Sequence, residues 1–163
     1  MNPAVTRMYR CFLICILCFA TRTAAAQLTA RDSAALVDAI ADRIYTQFGT
    51  GAAREPFVMA GDKRLASAEA RFAMRISDAV RARDSSLIVA EPTRSTPRIV
   101  FSKLELVAGD TAAVMLWVAR CTGASPIYSS HNVPLAFHRV GDLWKFVERN
   151  VGGAGTGSNG CPW

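Results

Sequence analysis

The sequence predicts an α+β fold in which two N-terminal helices pack on a curved antiparallel sheet of about four to five strands. Three observations carry this. Apolar residues recur at helical spacing between Leu36 and Val80, and they alternate at strand spacing from Arg98 onward. Two Gly-Asp pairs, Gly109-Asp110 and Gly141-Asp142, punctuate the alternating half as hairpin turns do. At 163 residues, 51% hydrophobic and 20% charged, the chain has the composition and length of one globular domain.

The chain opens with the three parts of a secretory signal. Arg7 and Arg10 supply positive charge, Cys11 to Ala20 is an unbroken apolar run, and Ala24-Ala25-Ala26 fits the small-x-small cleavage pattern. Cleavage is expected between Ala26 and Gln27, so residues 1–26 form the signal peptide. The apolar run is about half the ~20 residues a spanning helix needs, and Arg22 follows it closely. Cys15 and Cys18 follow Ile14 and Leu17, not the small residue that precedes a lipid-modified cysteine. An exported protein, periplasmic or extracellular and with no membrane attachment, is the expectation.

Processing would remove three of the 19 basic residues and three of the five cysteines, leaving a formal charge of +3. The remaining pair, Cys121 and Cys161, would meet an oxidising compartment, which predicts a disulfide. Closing a loop of about 40 residues is worth roughly 3–4 kcal/mol in the chain-entropy picture. Redox motifs hold their cysteines two residues apart, and zinc sites need more ligands than this chain brings together. No metal or cofactor is expected.

Leu36, Ile40, Ile44 and Phe48, with Val37 and Ala41 beside them, form one face of a first helix. Thr29 or Asp32 can cap its start, and Gly49-Thr50-Gly51 stops it. A second helix is predicted from about Asp62 to about Arg83, with Leu65, Phe72, Ile76 and Val80 as its stripe and Ala68 and Ala79 widening it. Its arginines are interleaved with Glu69 and Asp78 and lack aromatic companions, as in a solvated face; with the modest charge this argues against nucleic-acid binding. Leu87 to Ala90 is a short strand. Arg98–Ala108 with Thr111–Cys121, and Val133–Val140 with Leu143–Asn150, make two hairpins and so a four-stranded meander.

A two-residue turn at Gly109-Asp110 sets a register. It places Val100, Leu104 and Leu106 opposite Ala119, Met115 and Ala113, with Ser102 opposite Trp117, and assigns that face to the core. The reverse face, carrying Ile99, Phe101, Val114, Leu116 and Val118 beside Lys103, Glu105 and Arg120, is apolar at one end and charged at the other. It needs partial cover from a helix, from the sheet's own curvature or from a second subunit. In the second hairpin, Phe137 falls opposite Phe146 and Arg139 opposite Trp144. Residues 27–151 form the single α+β domain, and residues 152–163 read as a glycine-rich arm tied back by the disulfide.

Gly155-Thr156-Gly157-Ser158-Asn159-Gly160 matches a phosphate-loop string, but no helix can follow it in Cys161-Pro162-Trp163, so the string carries no phosphate chemistry. His131 and His138 are seven apart, which in a regular strand puts them on opposite faces, unsuited to a shared metal or an acid–base pair. No nucleophile elbow frames a serine, and the carboxylates are dispersed. His138 is the one candidate catalytic base. Met115, Trp117 and Phe137 are the candidate lining of an apolar pocket.

Helix, helix, short strand and antiparallel meander together resemble the cone-shaped nuclear transport factor 2-like superfamily, including its SnoaL-like members. The residues that carry the resemblance are Gly109-Asp110-Thr111-Ala112-Ala113-Val114 and the later Gly141-Asp142-Leu143-Trp144-Lys145-Phe146-Val147, over about residues 28–150. The resemblance implies either an isomerase- or dehydratase-like enzyme or a non-catalytic binding or dimerising module. The usual third helix is not evident, and no family residue carries over. The leading expectation is a non-catalytic exported protein that binds an apolar small molecule or a protein partner, with a homodimer through the partly apolar sheet face. The alternative is a cone-fold enzyme acting on a small hydrophobic substrate with His138 as base.

Overall fold

The structure is a computed structural model that describes residues 24–51, 54–93, 95–107, 109–122, 127–147 and 153–157. After a single helical turn, Ala24–Gln27, come α1 (Ala30–Phe48), β1 (Val58–Gly61), α2 (Ser67–Arg83) and a 3₁₀ turn at Ser85–Leu87. The strands β2 (Arg98–Val107), β3 (Thr111–Thr122), β4 (Ile127–Val140), β5 (Leu143–Val147) and β6 (Gly153–Gly157) complete the chain's described part. The expected cleavage bond between Ala26 and Gln27 lies within the first helical turn.

Thr29 caps α1: its side chain accepts from the Asp32 backbone N–H at 3.1 Å, and its hydroxyl donates back to the Asp32 carboxylate at 2.7 Å. Gly49 ends the helix, its N–H bonded to the Tyr45 carbonyl at 2.7 Å. A Cβ on Gly49 would stand 2.7 Å from that carbonyl oxygen and from Leu87 Cδ1, so the site admits little more than hydrogen. The second helix starts five residues later than the sequence predicts. Asp62 bonds instead to the Arg64 backbone N–H at 2.9 Å and to its guanidinium at 2.9 and 3.2 Å, which closes a local turn before the helix.

The sheet is mixed, where the sequence predicts an antiparallel one. Its order is β1-β2-β3-β4-β5, with β6 also on β4. β2 to β5 form the expected antiparallel meander, but β1 lies parallel to β2 at the edge. Four residues, Val-Met-Ala-Gly, carry too little alternation to announce a strand. The strand expected at Leu87–Ala90 is reduced to a single bridge between Ile88 and Phe57. The glycine-rich stretch, read as an arm, contributes β6, which pairs antiparallel with the first half of β4. β5 and β6 thus lie end to end along one edge of β4.

The predicted faces invert. Val107 pairs with Thr111, so three residues separate the strands where two were expected, and the register slips again between Phe101 and Lys103. Ser102 is the extra residue of a β-bulge, and its hydroxyl donates to the Met115 carbonyl at 3.0 Å. The inner face, covered by α1 and α2, therefore carries Ile99, Phe101 and Leu104 from β2 and Ala112, Val114, Leu116 and Val118 from β3. This is the face whose cover the sequence left open. It is unavailable to a second subunit because Leu36, Ile40, Ile44, Phe72, Ile76 and Val80 of the two helices pack into the same core. Met115 and Trp117 lie on the outer face, partly exposed.

Polar groups hold the helices in place. Arg83 of α2 donates to the Asp38 carbonyl of α1 at 3.0 Å and pairs with its carboxylate at 2.5 Å. Arg139 of β4 pairs with Asp32 at 2.9 Å, and Arg75 donates to the buried Ser33 hydroxyl at 2.8 Å. The Phe101 ring, fully buried, meets Phe72 at 5.9 Å. Phe101→Ala is expected to cost about 3–5 kcal/mol in urea unfolding, the usual range for an aromatic lost from a core. Met74→Ala, at a side chain 59% exposed, is expected to stay within about 0.5 kcal/mol.

Candidate functional site

The inner face is not filled to its upper end. Where α1 stops at Phe48, the chain turns and returns along Glu55–Phe57, beside the start of β2. A cavity of about 310 Å³ opens between that segment and the strands. Phe48, Phe57, Pro97, Ile99 and Val118 form its apolar walls, and Glu55, Arg120 and His131 its rim. The Phe48 and Phe57 rings meet edge to face at 6.1 Å. This volume lies at the lower end of the range for small-molecule pockets.

Register explains why these residues converge. Val118 and His131 are cross-strand partners on β3 and β4, and Ile99 is the partner of Val118 on β2. The three therefore form one row of the inner face. Arg120, two residues beyond Val118, bonds to the Glu55 carboxylate as an ion pair across the rim. The pair presents both signs of charge at the mouth of an apolar chamber. Among the described residues that line it there is no serine, threonine, cysteine or lysine nucleophile. The described residues also hold no cluster of three or more His, Cys, Asp or Glu suited to a metal.

The wall segment is pinned from below. Phe57 donates its N–H to the Leu87 carbonyl at 2.8 Å and accepts from the Val89 N–H at 3.0 Å. Arg54, next to Glu55, bonds to the Asp84 carboxylate at 2.8 Å and to the Ser86 hydroxyl at 2.5 Å. The Ser86 hydroxyl and backbone N–H in turn donate to Asp84 at 2.6 and 3.0 Å. The bond from the Ser86 hydroxyl, then those from Arg54 and the Ser86 N–H, lower the Asp84 carboxyl from 3.8 to about 2.

The residues singled out from the sequence do not assemble. His131 and His138 do lie on opposite faces, but it is His131 that borders the cavity. His138 is half exposed near the other end of β4, its Nδ1 3.3 Å from the Thr111 hydroxyl and 4.0 Å from the Asp110 carboxylate. Phe137 is fully buried on the inner face against Phe146 at 5.7 Å, with the Arg43 guanidinium 4.2 Å from that second ring's centroid. Met115 and Trp117 sit on the opposite face, so the three do not form one lining. Cys121 is buried on β3, and Cys161 lies outside the described residues.

A second, wider depression of about 730 Å³ borders the outer face, where Trp117 and Val100 meet Arg98, Ser102, Asn132 and the turn containing Lys63. Asp62, Lys63, Arg64 and Arg98 bring charge to its edge. Glu55 and Arg120 escaped sequence reasoning because 65 positions separate them. Only the register of β2 on β3, joined to the end of α1, brings them to one rim.

Asp84 ionises below its ordinary range when folded, so the stability it contributes is present above about pH 4 and is lost as the pH falls toward 2. Asp84→Asn is expected to lower the thermal midpoint at pH 7 and to flatten its fall between pH 4 and 2. Circular dichroism melts across that range check this, and parallel profiles for the two proteins would contradict it. In comparison with known proteins, the chain matches no protein-family model, no curated protein and no solved structure.

Proposed function

We propose that this is an exported, non-catalytic binding protein for a small apolar molecule that carries one polar end. The cavity beyond Phe48 supports the reading: five apolar side chains form its walls and the Arg120–Glu55 pair crosses its mouth. Burying an aromatic or branched body against Phe48, Phe57, Ile99 and Val118 supplies the affinity, at about 25 cal/mol per Å² removed from water. Arg120 and His131 select the polar end. The charge pattern Arg7, Arg10, apolar run and Ala24-Ala25-Ala26 supports export. Two helices on one sheet face, with a cavity between the end of α1, the Glu55–Phe57 segment and the strands, support the resemblance to nuclear transport factor 2-like domains.

A catalytic reading has one observation in its favour: His131 and Glu55 share the rim. Under it, the base is His131 and not His138, and turnover lost in His131→Ala but kept in His138→Ala would establish it.

Calorimetric titration with 2-naphthoate and with the neutral 2-naphthalenemethanol tests the binding reading. Both are expected to bind with a negative heat-capacity change. Val118→Phe, which fills the chamber, should weaken both at least tenfold. Arg120→Ala should weaken the carboxylate alone. No heat from either compound at millimolar concentration, or equal binding by Val118→Phe, would count against the cavity. Export is checked by intact mass from the producing cell, where a chain beginning at Gln27 is expected.

A further inference from the structure

The mouth of the cavity carries two opposite charges, delivered by separate parts of the fold. Glu55 stands in the returning segment between two anchored neighbours: Arg54 bonds to Asp84 and Ser86, and the Phe57 backbone bonds to Leu87 and Val89. Its own N–H donates to the Phe48 carbonyl at 3.3 Å, which ties the base of the side chain to the cavity wall. Arg120 comes from β3, two residues beyond Val118 and on the same face. Its Nη2 bonds to Glu55 Oε2, and among the described residues no group bonds to Glu55 Oε1. Behind the pair, the side chains of Phe48, Phe57, Pro97, Ile99 and Val118 offer no polar atom.

We infer that the cavity takes a free α-amino acid with an aromatic or branched apolar side chain. Its α-carboxylate meets Arg120, its α-ammonium meets Glu55 Oε1, and its side chain enters the chamber. The inference rests on the binding reading above and adds to it the chemistry of the ligand's head. Charge decides that head. A bare carboxylate drawn to Arg120 also faces Glu55 and competes with it for the guanidinium. A bare ammonium drawn to Glu55 faces Arg120 in the same way. Each singly charged head therefore gains one attraction and incurs one repulsion. A neutral head incurs neither and gains no charged contact. An α-amino acid carries both signs on one carbon, so it lies antiparallel to the rim pair with both contacts attractive and the four charges alternating in sign.

Exposure suits this arrangement. The Arg120 and Glu55 side chains are 49% and 42% exposed, so the zwitterionic head stays in contact with water while only the apolar side chain is desolvated. The same exposure screens each contact, which is then worth about two- to fivefold in affinity. His131, the third rim residue, can donate a ring N–H to the carboxylate. A residue inside a peptide does not qualify, because amide formation removes the charges that the rim reads.

The test follows the Ile99 and Val118 methyl resonances of the protein during titration with L-phenylalanine, 3-phenylpropanoate, phenethylamine and 3-phenylpropan-1-ol. The four share one aromatic body and differ in the head. L-Phenylalanine is expected to bind about threefold tighter than either singly charged compound, or better. Glu55→Gln should weaken L-phenylalanine and phenethylamine about two- to fivefold, while 3-phenylpropanoate binds equally or more tightly. Arg120→Gln should give the mirror pattern, and retained binding of the alcohol shows that the chamber of each variant is intact. L-Phenylalanine no tighter than 3-phenylpropanoate, or unchanged by Glu55→Gln, would overturn the inference. If the alcohol still binds and loses its affinity in Val118→Phe, the cavity reading survives that result. The absence of any methyl shift with all four compounds would overturn both.

Discussion

Ser102 stands one position too many on β2, and its hydroxyl bonds to the Met115 carbonyl across the break. That single bulge lets Ile99 and Phe101 at one end of the strand and Leu104 at the other face the same side of the sheet. Without it, a period-two strand would turn half of these residues away from the helices. β3 keeps a regular alternation against this corrected partner, with Ala112, Val114, Leu116 and Val118 all inward. The helices find a continuous apolar surface only because the two strands agree. The upper row of that surface, Ile99, Val118 and His131, is also the floor and one rim of the cavity. Fold and site therefore depend on the same correction.

Much of the architecture was legible in the chain. Helical spacing located Leu36, Ile40 and Ile44 on one face and Phe72, Ile76 and Val80 on another, and all six are buried. The Gly141-Asp142 turn closes with Val140 opposite Leu143, and Phe137 meets Phe146 as the register predicts. The first hairpin misled because Gly109-Asp110 looks the same in sequence whether two or three residues separate the strands. A bulge at a serine leaves no periodicity signal either. The parity error then moved Met115 and Trp117 onto the wrong face. His131 and His138 were correctly separated, yet which of them borders a cavity depends on where α1 ends relative to β4. No local pattern encodes that distance.

The cavity and the outer depression divide the protein's features between two faces. Inward, Phe48 and Phe57 border a chamber whose charges already pair with one another across the rim, through Arg120 and Glu55. Such a mouth carries both signs of charge, and the binding proposed for it rests on the apolar walls behind them. Outward, Trp117 and Val100 border a wider depression edged by Asp62, Lys63, Arg64 and Arg98.

The parallel edge strand has a further bearing on how the protein comes to be built. β2 to β5 follow one another with only two to four residues between strands, so their pairing is local and is expected to close early on a folding chain. β1 must wait, because α2 and the segment up to Arg98 intervene before its partner exists. Glu55 and Phe57 sit immediately before β1, and their position follows its docking. The wall of the chamber is thus expected among the last parts to be set in place. A bound molecule that touches Phe57 would reward this final step alone, favouring the completed fold over a preformed meander that still lacks its edge.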